Sequence, residues 1–120
     1  MFRNLRFVYV TTKNRDEAKQ IGSTIVEEKL AACANIIDGM ESIYHWKDKI
    51  ETSSECILIL KTSYSNVGKM TRRIKELHSY EVPCVISLNI AEQEGNPDYL
   101  NWIRDSVRKP LPQDEDLRTD

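Results

Sequence analysis

Apolar residues recur along this chain with two periods, and the changes from one to the other mark its elements. Leu5 to Thr12 is a short run rich in Phe, Val, Tyr and Thr, the profile of a strand buried on both faces. Asn14 followed by Glu17 has the spacing of a capping box, and Ala18, Ile21, Gly22, Ile25, Val26 and Leu30 then recur at helical intervals. A first helix is predicted from about Arg15 to Ala31. Strand character resumes at Cys33 to Ile37 and, past a bend at Asp38-Gly39, Met40, Ser42, Tyr44 and Trp46 alternate on one face.

Lys47-Asp48-Lys49 is the hairpin turn, since Asp tolerates the left-handed backbone such turns use. Ile50 opens the return strand, whose Cys56 to Leu60 segment is continuously apolar and needs cover on both faces. Ser65 is the predicted cap of a second helix with Val67, Met70, Ile74 and Leu77 inward; Lys69, Arg72, Arg73 and Lys75 form a solvated face. His78 to Pro83 reads as a loop, Cys84, Ile86, Leu88 and Ile90 as a fourth strand. Asn96-Pro97 starts a last helix with Leu100, Ile103 and Val107 on one side, ending near Pro110.

Strand, helix, strand, strand, helix, strand is the split βαβ order: an α+β fold with an antiparallel sheet, both main helices on one face, and a further C-terminal helix. The other sheet face is left bare. Apolar residues on both faces of the first and third strands, with Tyr44, Trp46 and Trp102, make more exposed apolar surface than a monomer of this size covers, so self-association is expected.

The 120 residues suit one domain, read as residues 1–109, with an acidic, aperiodic tail over residues 110–120 expected to be disordered. A net charge of -2 gives no electrostatic reason to expect nucleic acid or an anionic membrane as partner. RNA binding fails on a second ground, because Glu55 to Leu60 lacks the stacking aromatics such sheets present. Neither a signal peptide nor a spanning helix is visible, and Cys33, Cys56 and Cys84, an odd set without C-x-x-C spacing, read as reduced thiols. A cytoplasmic location is expected.

Candidate chemistry is sparse. The cysteines, His45, His78 and three methionines are the soft or borderline metal ligands, and their spacing fits no closed zinc motif. Glu55 and Lys61 share a strand face but lie about 20 Å apart in one chain, too far for an acid-base pair. Thr11 to Arg15 places cations at a helix start, yet no glycine lets a phosphate approach the backbone, which disfavours a small phosphatase of this topology. With no G-x-S-x-G, no H-E-x-x-H and no glycine-rich loop, the chain is expected not to be an enzyme.

Several segments nevertheless carry a resemblance. Glu28-Lys29-Leu30-Ala31-Ala32-Cys33-Ala34-Asn35-Ile36, Ser42-Ile43-Tyr44-His45-Trp46, Leu60-Lys61-Thr62, His78-Ser79-Tyr80-Glu81-Val82-Pro83 and Asp98-Tyr99-Leu100-Asn101-Trp102-Ile103 together resemble the CutA family of divalent-cation tolerance proteins over about residues 7–107. The resemblance implies a ferredoxin-like fold, a tight homotrimer similar to the PII signalling proteins, and binding of copper or another divalent metal. Of the thiols proposed as copper ligands in that family only Cys33 has a counterpart; Thr11 and Arg73 stand at the others, Ser79 replaces a proline, Asp48 a hairpin glycine and Cys84 an acidic residue.

Two functions follow as expectations. One is a non-enzymatic trimeric metal-binding protein, with Cys33, His78 and Cys84 as metal ligands and inter-subunit clefts lined by Trp46, Glu55, Lys61 and Tyr80. The other is a PII-like regulator or scaffold that docks a protein partner or holds a small ligand in those clefts.

Overall fold

The computed structural model describes residues 3–109. The expected acidic tail, residues 110–120, lies outside the described residues. Seven elements follow one another: β1 (Leu5–Thr12), α1 (Arg15–Glu27), β2 (Cys33–Trp46), β3 (Lys49–Ser63), α2 (Tyr64–Leu77), β4 (Val85–Asn89) and α3 (Pro97–Ser106). The four strands form one antiparallel sheet in the order β2-β3-β1-β4, the split βαβ arrangement expected from the element order.

Strand alternation sorts the sheet into two faces. Val8, Val10, Cys56, Leu58 and Leu60 point one way and close on Ala18, Ile21 and Ile25 of α1 and on Met70 and Ile74 of α2. Each fully buried aliphatic side chain there contributes about 1.5–3 kcal/mol by leaving water. At Gly22 a Cβ would stand 3.0 Å from Ala34 Cβ and 3.1 Å from Leu58 Cδ1, so the missing side chain lets α1 lie close on the sheet.

Phe7, Tyr9, Ile57 and Ile59 point the other way. On that face Leu5 packs with Ala32, Leu100, Ile103 and Val107, so α3 covers only its Leu5 end. The rest stays open, with Ile37, Ile86 and Leu88 each 51% exposed.

β1 pairs with β3 only from Cys56 to Ser63, whereas β2 follows β3 out to Trp46 and Lys49. Residues 40–55 are therefore a two-stranded arm projecting past the sheet, and the molecule measures 46 × 30 × 25 Å. At its base the register shifts between Ile37 and Met40, a β-bulge in which Gly39 takes φ +80°. At its tip Lys47 and Asp48 both have positive φ, 50° and 65°, as a two-residue type I′ turn requires.

Three boundaries differ from those read in the sequence. α1 stops at Glu27 because Lys29 turns into the left-handed region, with Lys29 N–H donating to Val26 O at 2.9 Å and Leu30 N–H to Ile25 O at 3.0 Å. This is the paired termination usually built on glycine. α2 begins after Ser63, with Tyr64 as its first residue, so Ser65 lies inside the helix. α3 ends at Ser106, ahead of Pro110, because Val107 returns to extended backbone and Arg108 N–H donates to Lys29 O at 2.8 Å.

Candidate functional site

Asn14 caps α1 as its spacing implies, accepting from Glu17 N–H at 2.9 Å. The Glu17 side chain does more than close a capping box. Its two oxygens accept Lys13 N–H at 3.0 Å and, 62 positions away in sequence, Ser79 N–H at 2.8 Å. Burial pushes this carboxyl up, but the hydrogen bonds from Ser79 and Lys13 and the neighbouring His78 outweigh it and hold Glu17 below its ordinary range. A buried carboxylate thus fixes the loop that follows α2.

His78 holds the same loop from inside. Tyr80 N–H donates to its Nδ1 at 3.0 Å, so the ring proton sits on Nε2 and is donated to Thr11 O at 2.8 Å. The side chain is fully buried with both nitrogens engaged, so a metal would have to displace one of these partners. His78 therefore acts as a loop anchor in the free chain, a role the motif alone did not distinguish from that of a metal ligand.

The anchored loop aims Tyr80 across the open face. Its hydroxyl donates to Glu55 Oε2 at 2.7 Å, and burial, reinforced by Glu55, pushes the phenol well up. Loop and arm form the two walls of a cleft of ~560 Å³. Tyr9 and Thr11 make its floor, Ser42, Ile43, Tyr44, Trp46 and Glu55 the arm side, and Tyr80, Glu81, Val82 and Cys84 the loop side. Burial raises the Cys84 thiol, with the Glu55 charge adding to it and hydrogen bonding to Thr11 opposing it. Two carboxylates line the cleft, and none of the described lining residues carries positive charge.

Of the expected site residues, Trp46, Glu55, Tyr80 and Cys84 meet here, with His78 directly behind them. Lys61 and Cys33 do not. They pair across β2 and β3 nearer the α3 end, where Lys61 Nζ donates to Tyr99 Oη at 3.2 Å and Cys33 Sγ lies 3.7 Å from the same oxygen. Cys33 lines up with Phe7 across the sheet and Cys84 contacts Thr11, four residues along β1, or roughly 13 Å. Tyr99, the residue joining Cys33 to Lys61, was visible only within the Asp98 to Ile103 motif. Among the described residues no three of His, Cys, Asp and Glu converge as a metal site. Cys33, Cys56 and Cys84 are free thiols, Cys56 buried and the others partly so.

The profile of the CutA1 divalent ion tolerance proteins matches residues 6–106. This chain belongs to the CutA1 family.

It is 44% identical over 102 residues to "Protein CutA 1, chloroplastic" of Oryza sativa subsp. japonica, covering 85% of this chain and 56% of that protein. To the divalent-cation tolerance protein CutA of Thermus thermophilus it is 40% identical over 100 residues, covering 83% and 95%. The match thus spans little more than half of the plant CutA protein and nearly all of the bacterial one. The crystal structure of CutA1 from Oryza sativa superposes with a TM-score of 0.83 at 43% identity, covering 88% of this chain and 94% of that one. That from Thermus thermophilus gives 0.82 at 38% identity, covering 87% and 99%. The CutA1 fold of these structures is the four-stranded antiparallel sheet with three helices described above. No helix among the described residues is long and apolar enough to cross a membrane.

Proposed function

We propose that this CutA1 chain works as a homotrimer that binds copper or another divalent cation in clefts closed by neighbouring subunits, and that it catalyses no reaction. The observation that carries the binding reading is the cleft itself: Glu55, Glu81 and Cys84 line it without a cationic side chain among the described residues, a setting that attracts a cation. One chain supplies too few converging ligands, so a second subunit completes the set, with Cys33 as the thiol it brings. The divalent-cation tolerance named for the Thermus thermophilus relative agrees with this reading.

The trimer rests on shape. A two-stranded ribbon is marginal in water alone, yet this arm exposes Ile43, Tyr44, Trp46 and Ile50. The bare sheet face is a different surface of the same molecule, and arm against face is a head-to-tail contact. Such contacts close only as rings of three or more. A reducing, cytoplasmic setting suits the three free cysteines and forms part of the proposal.

A second reading is favoured by the tyrosine hydroxyls and the Trp46 ring in the same cleft: a small hydrogen-bonding ligand, held by a PII-like regulator that docks a protein partner. Calorimetric titration of the reduced protein with copper separates the two. Metal binding predicts saturable uptake that falls at least tenfold in affinity in both Glu55→Gln and Cys84→Ser and strengthens as pH rises, since the ligand thiol must lose its proton. Affinity unchanged in both variants would end the metal reading at this cleft.

A further inference from the structure

On the helix side of the molecule, the C-terminal end of α1, the outer face of α2 and the segment after α3 border a shallow groove of ~340 Å³. Buried Leu30 forms its floor. Lys69, Arg72, Arg73 and Arg108 line it with two carboxylates, Glu28 and Glu76. Both carboxylates are committed to one partner: Arg73 Nε donates to each Glu28 oxygen at 3.1 Å, and Arg73 Nη1 donates to Glu76 at 3.1 Å. The lining therefore carries more positive than negative charge, on a chain whose net charge is -2.

The chain's path past α3 is fixed at the rim of this groove. Arg108 N–H donates to Lys29 O at 2.8 Å, and its carbonyl accepts from Nδ2 of the fully buried Asn66 at 3.1 Å. Six residues further in sequence comes Asp114-Glu115-Asp116. A segment of that length reaches about 20 Å, against roughly 6 Å of helix axis between Lys69 and Arg73.

We propose that this groove is a docking site for acidic segments and that its resident occupant is the Asp114-Glu115-Asp116 run of the same chain. Charge complementarity selects the occupant. Tethering supplies it at about millimolar effective concentration, enough for exposed ion pairs that would be too weak between separate molecules. An outside acidic peptide would then have to displace the chain's own run.

The test is nuclear magnetic resonance on the full, nitrogen-15-labelled chain, comparing the native protein with D114N/E115Q/D116N. The expected result is that the amide signals of residues 68–73 and 28–30 move while those of Glu55 and Tyr80 stay. In the native chain the same groove signals move as salt is raised from about 50 to about 500 mM, because screening releases exposed pairs. In a K69Q/R72Q background, which alters only side chains lining the groove, the tail substitutions move none of them. Changes confined to residues 108–120 would overturn the proposal and leave the groove to an outside partner. Equal groove shifts in the K69Q/R72Q background, or shifts that vanish on dilution and so belong to another molecule's tail, would overturn it as well.

Discussion

Tyr80 Oη donates to Glu55 Oε2 at 2.7 Å, and this bond ties the loop after α2 to the base of the projecting arm. Replacing Tyr80 with Phe leaves a partly buried carboxylate without that donor, which costs about 1–3 kcal/mol. Urea denaturation of Tyr80→Phe should show that loss. The pH dependence carries the same sign. Burial and Glu55 raise the phenol in the folded chain, so the contribution is whole below the unfolded phenol value of about 10 and is lost as pH rises beyond it. In an absorbance titration Tyr80 should ionise last, and Tyr80→Phe should remove that final step.

Glu17 gives the opposite slope. Its carboxyl is lowered in the folded chain from the ordinary 4.5, despite burial, by hydrogen bonds from Ser79 and Lys13. Its stabilisation is therefore complete above the unfolded value and disappears as pH falls through the folded one. Glu17→Gln should cost about 1–3 kcal/mol at pH ~7 and less in acid, so native and variant stabilities converge below pH ~4. A gap that stays constant with pH would show that the charge contributes nothing.

His78→Ala removes the partners of Thr11 O and Tyr80 N–H together and opens a cavity behind the cleft, for an expected loss of about 2–4 kcal/mol. The ring should show the Nε2-protonated tautomer by nitrogen-15 shifts, and one equivalent of zinc should leave those shifts in place. Zinc moving the ring signals directly would return His78 to the set of metal ligands.

Much of the architecture was legible because it is local. The β-branched and aromatic runs at Leu5 to Thr12 and Cys56 to Leu60 admit few readings other than strand, and Asn14 with Glu17 marks its helix start by chemistry acting within one turn. α1 was read too long because Lys29 takes the left-handed conformation that glycine normally advertises. The site was legible in composition and not in grouping. Trp46, Glu55 and Tyr80 do share one cleft, but no local rule separates them from Lys61, which the six-residue run of β3 carries away to Tyr99. Likewise the bond from Ser79 to Glu17 spans 62 positions and leaves no periodic trace. His78 could be singled out from its motif, while the tautomer that makes it an anchor exists only once Thr11 and Tyr80 stand on either side of it.

Everything proposed for the cleft depends on a second subunit closing it, so assembly and metal uptake must be read together. Native mass spectrometry of the reduced 13.9 kDa chain, with and without one equivalent of copper, does this in one measurement. The account predicts a trimer that takes up copper in a fixed number per ring. A monomer would contradict it, because the arm and the bare sheet face would then stand in water without a partner.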